Sequence, residues 1–282
     1  MFISDKVIFL QLDKTASTHI AKLLDQVSPG EFRAKHSRLE HDAGGRCVIG
    51  SVRNPWDWYV SLWAYGCAGR GKVRRYLTQP FPRMAFRLLK KNAMHPGAWP
   101  KVASKLAAHA RNDPANWRRL YASAEDPALF REWLRLLLSD RGKHLLTGIW
   151  EYPDRPFRAS TGLLTYRFLR LFVEAGAWRR EADRLRSPAE IEALYRAHGN
   201  ADRFVRMEHL GDDLMAILGD LGIGFDAADF KTKEKTNPSK HDEAAYYYDA
   251  ESIELVRQQE QFLISEFGYQ PPAISPSAQE PH

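Results

Sequence analysis

Lys14, Thr15, Ser17 and Thr18 crowd the segment "LDKTAST", between the apolar run Val7 to Leu12 and the start of a helix-like stretch. An ammonium and several hydroxyls at a strand-to-helix junction are the makings of an anion cradle. The first amides of a helix have no internal partners, and the helix dipole favours negative charge there. The same residues also suit a plain helix cap, with Ser17 or Thr15 as N-cap and Lys14 in solvent. A second pair lies beyond the next apolar run, where Arg53 follows "CVIGSV" and Ser61 comes about two helical turns later. A guanidinium grips a phosphate in a fork and a hydroxyl takes a further oxygen, so the two could converge on one anion.

These residues need rigid elements to hold them. Val7 to Leu12 and Cys47 to Val52 are continuous apolar runs of strand length, as found in a parallel sheet covered on both faces. A helical pattern lies between them, so the chain opens as β-α-β. In "RNPWDWYVSLWAYG", Asn54 suits an N-cap, Pro55 the first turn, and Val60, Trp63 and Ala64 an inward face. From about Gly69 to Asn200 the sequence reads as mostly helical. "RFVRMEHLGDDLMAILGDLGI" then reads as a short strand, a turn and an amphipathic helix, and "DAESIELVRQQEQFLISEFGY" as a last helix. The Pro- and Ser-rich end, 271–282, reads as disordered.

With 44% hydrophobic and 27% charged residues, the 282-residue chain has the composition of an ordinary globular protein. Its net charge of +6 leans toward anionic partners. Neither Cys47 nor Cys67 has metal-ligand spacing, no disulfide framework is present, and Cys47 reads as a buried small hydrophobe. No signal peptide and no transmembrane-length run stands out, so the expected location is cytoplasmic, with room for contact at a membrane surface. The charge is one-sided: from Trp58 to Asn112 there is no Asp or Glu, while lysines and arginines recur from Arg70 to Arg111. Such a stretch points to an anionic substrate, cofactor, lipid surface or nucleic acid.

A P-loop carries G-x-x-x-x-G-K-[ST], with glycines ahead of its lysine. Here the lysine opens the loop, the hydroxyls follow, and no glycine occurs. "LDKTAST" instead resembles the 5′-phosphosulfate loop of sulfotransferases that use 3′-phosphoadenosine 5′-phosphosulfate (PAPS), usually P-K-[TS]-[GA]-[ST]-[ST]. "VRNPWDWYVSLWAYG" resembles their 3′-phosphate motif, with Arg53 and Ser61 at that family's spacing. "FVRMEHLGDDLMAILGDLGI" is similar to their late R-x-E-x-L segment. The resemblance covers the two ends of the chain and hardly touches the region between Gly69 and Asn200. It implies an α/β fold: a three-layer parallel sheet flanked by helices, in one domain over 1–270 with a helical, acceptor-side insertion at about 70–200.

It also implies a chemistry. Lys14, Thr15, Ala16, Ser17 and Thr18 would bind the 5′-phosphosulfate, and Arg53 and Ser61 the 3′-phosphate. Lys235, Asn237 and Ser239 in "KTKEKTNPSKH" would help from a loop before the last helix. Lys14 would neutralise the leaving phosphate during sulfuryl transfer, with the product PAP departing as an anion and no metal required. The acceptor hydroxyl or amine needs a base, which His36 or Glu40 would supply from "FRAKHSRLEHDAGG". Two departures stand out: Ala16 replaces the commoner glycine, which suits a negative φ, and Asp13 replaces proline, which suits a side chain pointing away from the anion. The expected partner is a small or saccharide-like acceptor, anionic or lipid-linked forms included, and no nucleic acid. Two rival readings are a nucleotide-dependent kinase with a degenerate loop and a non-catalytic anion-binding protein.

Overall fold

The computed structural model describes residues 1–92, 97, 99–150, 157–226 and 242–273, side chains at 91, 101, 108 and 147–150 excepted. The chain divides into two compact units: Met1–Trp58, Leu164–Pro238 and Glu260–Gln270 form the first, and Tyr59–Leu163, Ser239–Gln259 and Pro271–His282 the second. The helical unit thus begins earlier than residue 70 and ends well before 200, because the helices after Leu163 pack with the sheet.

The first unit is α/β. β1 (Phe2–Ser4), β2 (Val7–Phe9), β3 (Gly30–Phe32), β4 (Cys47–Val52) and β5 (Arg203–Arg206) form one sheet in the order β3-β1-β2-β4-β5. β2, β4 and β5 are parallel, with Val7 opposite Cys47 and Ile49 opposite Arg203. β1 runs antiparallel to both β2 and β3. The sheet is therefore mixed rather than parallel throughout. The cause is Asp5-Lys6, a polar pair short enough to fold Ile3 back onto Ile8 as a hairpin.

One face of the sheet packs on α1 (Ser17–Val27) and on the helix Leu210–Asp220, where Phe9, Ile20, Leu24, Ile49, Val205, Leu214 and Leu218 share a core. On the other face lies an aromatic cluster in which Phe168 and Phe172 stack around Phe204, with Phe262 and Phe267 adjoining. Gly50 makes this possible, since a Cβ there would come within 2.4 Å of the Phe204 ring.

The second unit is helical. It takes most of α2 (Pro55–Cys67), then α3 (Lys72–Leu77), α4 (Phe81–Asn92), α5 (Trp99–Ala110), α6 (Pro114–Leu120), α7 (Pro127–Leu138), α8 (Asp140–Trp150) and α9 (Phe157–Ser160). Asp113 and Asp126 each precede a proline and cap the helix that follows, accepting from two backbone amides. Trp63, Phe130, Trp133 and Tyr247 make its aromatic centre.

His109 on α5 is 2% exposed, and neither ring nitrogen has a hydrogen-bond partner among the described residues. Burial, then the nearby Arg87 and His144, push its pKa down to about 4. The ring is neutral when folded, whereas an unfolded histidine takes a proton near its ordinary value of about 6.5. Stability is therefore expected to fall as pH drops from about 6.5 toward about 4, by up to about 3 kcal/mol. Urea unfolding at pH 7 and pH 4.5 checks this, and His109→Leu should flatten that part of the profile.

Candidate anion-binding site

The segment between β2 and α1 folds back on itself. Leu10 extends the parallel ladder, its N–H donating to the Ile49 carbonyl at 2.9 Å. Thr15 is fully buried, and its hydroxyl donates to the Leu12 carbonyl at 2.9 Å. The Ser51 hydroxyl meets the Thr15 hydroxyl at 2.6 Å, which ties the loop to β4. With Thr15 drawn inward, the chain turns sharply on either side of it. Lys14 and Ala16 both adopt left-handed backbone, with φ of 64° and 54°. The negative φ expected for Ala16 is not found, and Ala16 rather than Ser17 or Thr15 is the N-cap of α1. No side chain caps that helix, and its first turn carries no acid. Its leading amides, at Ser17 and Thr18, keep the usual affinity of an N-terminus for anions.

Among the described residues, the non-glycine positions with positive φ are Lys14, Ala16 and His36, and all belong to this site. A left-handed L-residue costs about 1–2 kcal/mol, and such strain gathers where function over-determines the backbone. Ala16→Gly is expected to stabilise the fold by about 0.5–1 kcal/mol, the relieved strain less the extra freedom glycine gains when unfolded. Chemical denaturation of the two proteins side by side would measure it.

Arg53 leaves the end of β4, half-buried, and its Nη1 donates to the Lys14 carbonyl at 3.4 Å. Burial lowers its pKa, while Asp57 and Glu208 act in the opposite direction. It makes no ion pair among the described residues. Lys35 adds a second ammonium, donating to the Thr18 hydroxyl at 3.1 Å. Asn54 caps α2 as its sequence predicts, accepting from the Trp56 amide at 3.0 Å, and its own N–H donates to Glu208 at 2.7 Å. The R-x-E of the late segment is thus a brace: Glu208 holds the start of α2, and Arg206 binds Asp213 through both carboxylate oxygens.

Asp13 does not repel an anion unchecked. Its carboxylate accepts from Arg167 Nε at 2.9 Å and lies 2.9 Å from His36 Nε2. Burial would raise its pKa, but Arg167 and His36 prevail and hold it well below the usual carboxylate range. His36 Nδ1 lies 2.7 Å from the Gln11 carbonyl. The ring thus has a backbone carbonyl at one nitrogen and a carboxylate at the other, both supplied by the segment that follows β2. His36 is held at the same end of the sheet as Lys14 and Arg53, with both ring nitrogens engaged by Gln11 and Asp13.

Glu40 is placed elsewhere. It pairs with Arg179 at 2.6 Å and lines a cleft of about 1250 Å³ together with Lys6, Cys47 and Asp202. Those residues mark the N-terminal ends of the parallel strands, while Lys14 and Arg53 lie at the C-terminal ends. The length of β4, six residues, separates them by roughly 17 Å. Ser61 is buried on α2, in the second unit. Lys235, Asn237 and Ser239 lie outside the described residues. Cys47 is half-buried rather than buried, and both cysteines are free.

The structure thus brings together Lys14 to Thr18, Arg53 and His36, and adds Lys35, Asp13 and Arg167, to which sequence reasoning gave no binding role. Lys35 was legible as a cation beside His36. Arg167 was not, being an arginine in an ordinary amphipathic helix. No protein-family model, curated protein or solved structure matches this chain. Among the described residues no helix is long and apolar enough to cross a membrane, and no cluster of metal-ligating side chains occurs.

Proposed function

We propose that the chain binds PAPS and transfers its sulfuryl group to a hydroxyl or amine of a small acceptor. The observation that carries this reading is the strained, glycine-free turn at the end of β2, with the half-buried Arg53 set against its backbone. Lys14, Lys35 and the first amides of α1 suit the 5′-phosphosulfate, and Arg53 suits the 3′-phosphate. PAPS supplies an activated sulfuryl group on a phosphate leaving group, so the chemistry asks for positive charge rather than a metal. Lys14 and Lys35 provide that charge at the first turn of α1. Asp13, bound to Arg167 and His36, fixes the turn without opposing the anion.

The saccharide part of the expectation rests on the resemblance of the loop around His36 to that of carbohydrate sulfotransferases and on aromatics able to stack on sugars. Trp56, Trp58, Trp63, Trp117, Trp133 and Trp178 are buried, and the exposed Trp99 and Tyr246 belong to the helical unit; the acceptor class is left at hydroxyl or amine. A second reading, a non-catalytic binder of nucleotide anions, is favoured by the positions of the two candidate bases. Both ring nitrogens of His36 are engaged, by Gln11 and Asp13, and Glu40 lies at the other end of the sheet.

Thermal-shift measurements with PAP, ATP and GTP, with and without Mg²⁺, test the cofactor. A rise with PAP alone is expected; a rise with ATP that requires Mg²⁺ would replace this reading with a kinase. Turnover of labelled PAPS then separates the enzyme from the binder.

A further inference from the structure

The acid-free stretch becomes, in the helical unit, a surface with a defined pattern. α4 and α5 pack together, and α4 buries Met84 and Leu88 against Val102, Leu106 and Tyr76. That accounts for its inner face. Its outer face carries Phe86, 68% exposed, and Leu89, 39% exposed. Arg83 stands three positions before Phe86 and Lys90 four after it, both exposed, so cations flank the ring on the same helical face. Phe81 and, on α5, Trp99 are also exposed, at 38% and 41%. Neither the core of this unit nor the anion site uses these side chains.

We infer that the outer face of α4, with the start of α5, is a docking surface for an anionic lipid bilayer. Charge complementarity selects the partner: no carboxylate occurs from Trp58 to Asn112 to oppose an acidic surface. A benzyl ring and an isobutyl group standing between cations match an interfacial helix, whose apolar side chains enter the acyl boundary while lysine and arginine stay among the headgroups. A nucleic acid would satisfy the cations, but it gives Leu89 nothing to enter. A second copy of this chain would set like charges against each other. The inference does not depend on the nucleotide reading.

The full chain should sediment with vesicles of phosphatidylcholine containing 30% phosphatidylserine, and much less with phosphatidylcholine alone. Each surface cation is worth about fivefold in partitioning at low salt. Arg83→Glu with Lys90→Glu should therefore lower binding at least tenfold. Phe86→Ser with Leu89→Ser should lower it by a similar factor and raise its sensitivity to salt. All four side chains are exposed, so the variants should keep the parent's melting temperature, which serves as the folding control. Failure to bind the anionic vesicles would overturn the inference. So would binding that the Phe86 and Leu89 changes leave intact, or that single-stranded DNA abolishes while itself binding the serine variant undiminished.

Discussion

Arg53→Ala is expected to weaken PAP binding by about 2–5 kcal/mol, a loss of some thirtyfold to several thousandfold. The guanidinium is half-buried and has no ion-pair partner among the described residues, so a bound phosphate would complete its coordination. Removing it would leave that phosphate desolvated and unpaired. AMP, which has no 3′-phosphate, should bind both proteins poorly and nearly equally. Arg53→Lys should recover only part of the loss, since an ammonium cannot make the two-pronged contact. Calorimetric titration of PAP and AMP into the three proteins is the measurement. Equal affinities for PAP and AMP in the parent would remove the 3′-phosphate assignment.

Lys14→Ala should act on a different quantity. If its ammonium meets charge that grows during sulfuryl transfer, the rate falls by about 10²–10³ while PAP binding changes far less. The acceptor is unidentified, so slow hydrolysis of PAPS, with water in its place, provides the readout. A variant with an unchanged rate and weakened binding would make Lys14 a holding residue alone. Lys35→Ala is the useful companion, because its ammonium is tied to the Thr18 hydroxyl and contributes charge from one turn away.

Local chemistry was legible in the sequence wherever a single segment decides the outcome. The apolar runs gave β2 and β4, Asn54-Pro55 gave the start of α2, and "RFVRME" gave β5. The hairpin was missed because Asp5-Lys6 lacks the glycine or asparagine that usually marks a tight turn. Residues brought together from afar were harder. Asp13 and Arg167 are 154 positions apart, and only the folded sheet unit shows that one neutralises the other. The placement of His36 and Glu40 turned on the same limit. Both lie in one loop, yet the loop travels from one end of the strands to the other, so neighbours in sequence end on opposite rims.

The two left-handed residues at the turn have a consequence for how a ligand is received. A glycine-rich loop samples many shapes and must give up that freedom on closing around an anion. Lys14 and Ala16 have far fewer shapes to begin with, and Thr15, fastened to Leu12 and Ser51, removes most of what is left. The entropy of ordering this turn is settled when the chain folds, not when the anion arrives. A glycine at position 16 would thus make the fold firmer and the grip looser. Association should carry a small entropic cost and a heat that comes mainly from the phosphate contacts themselves.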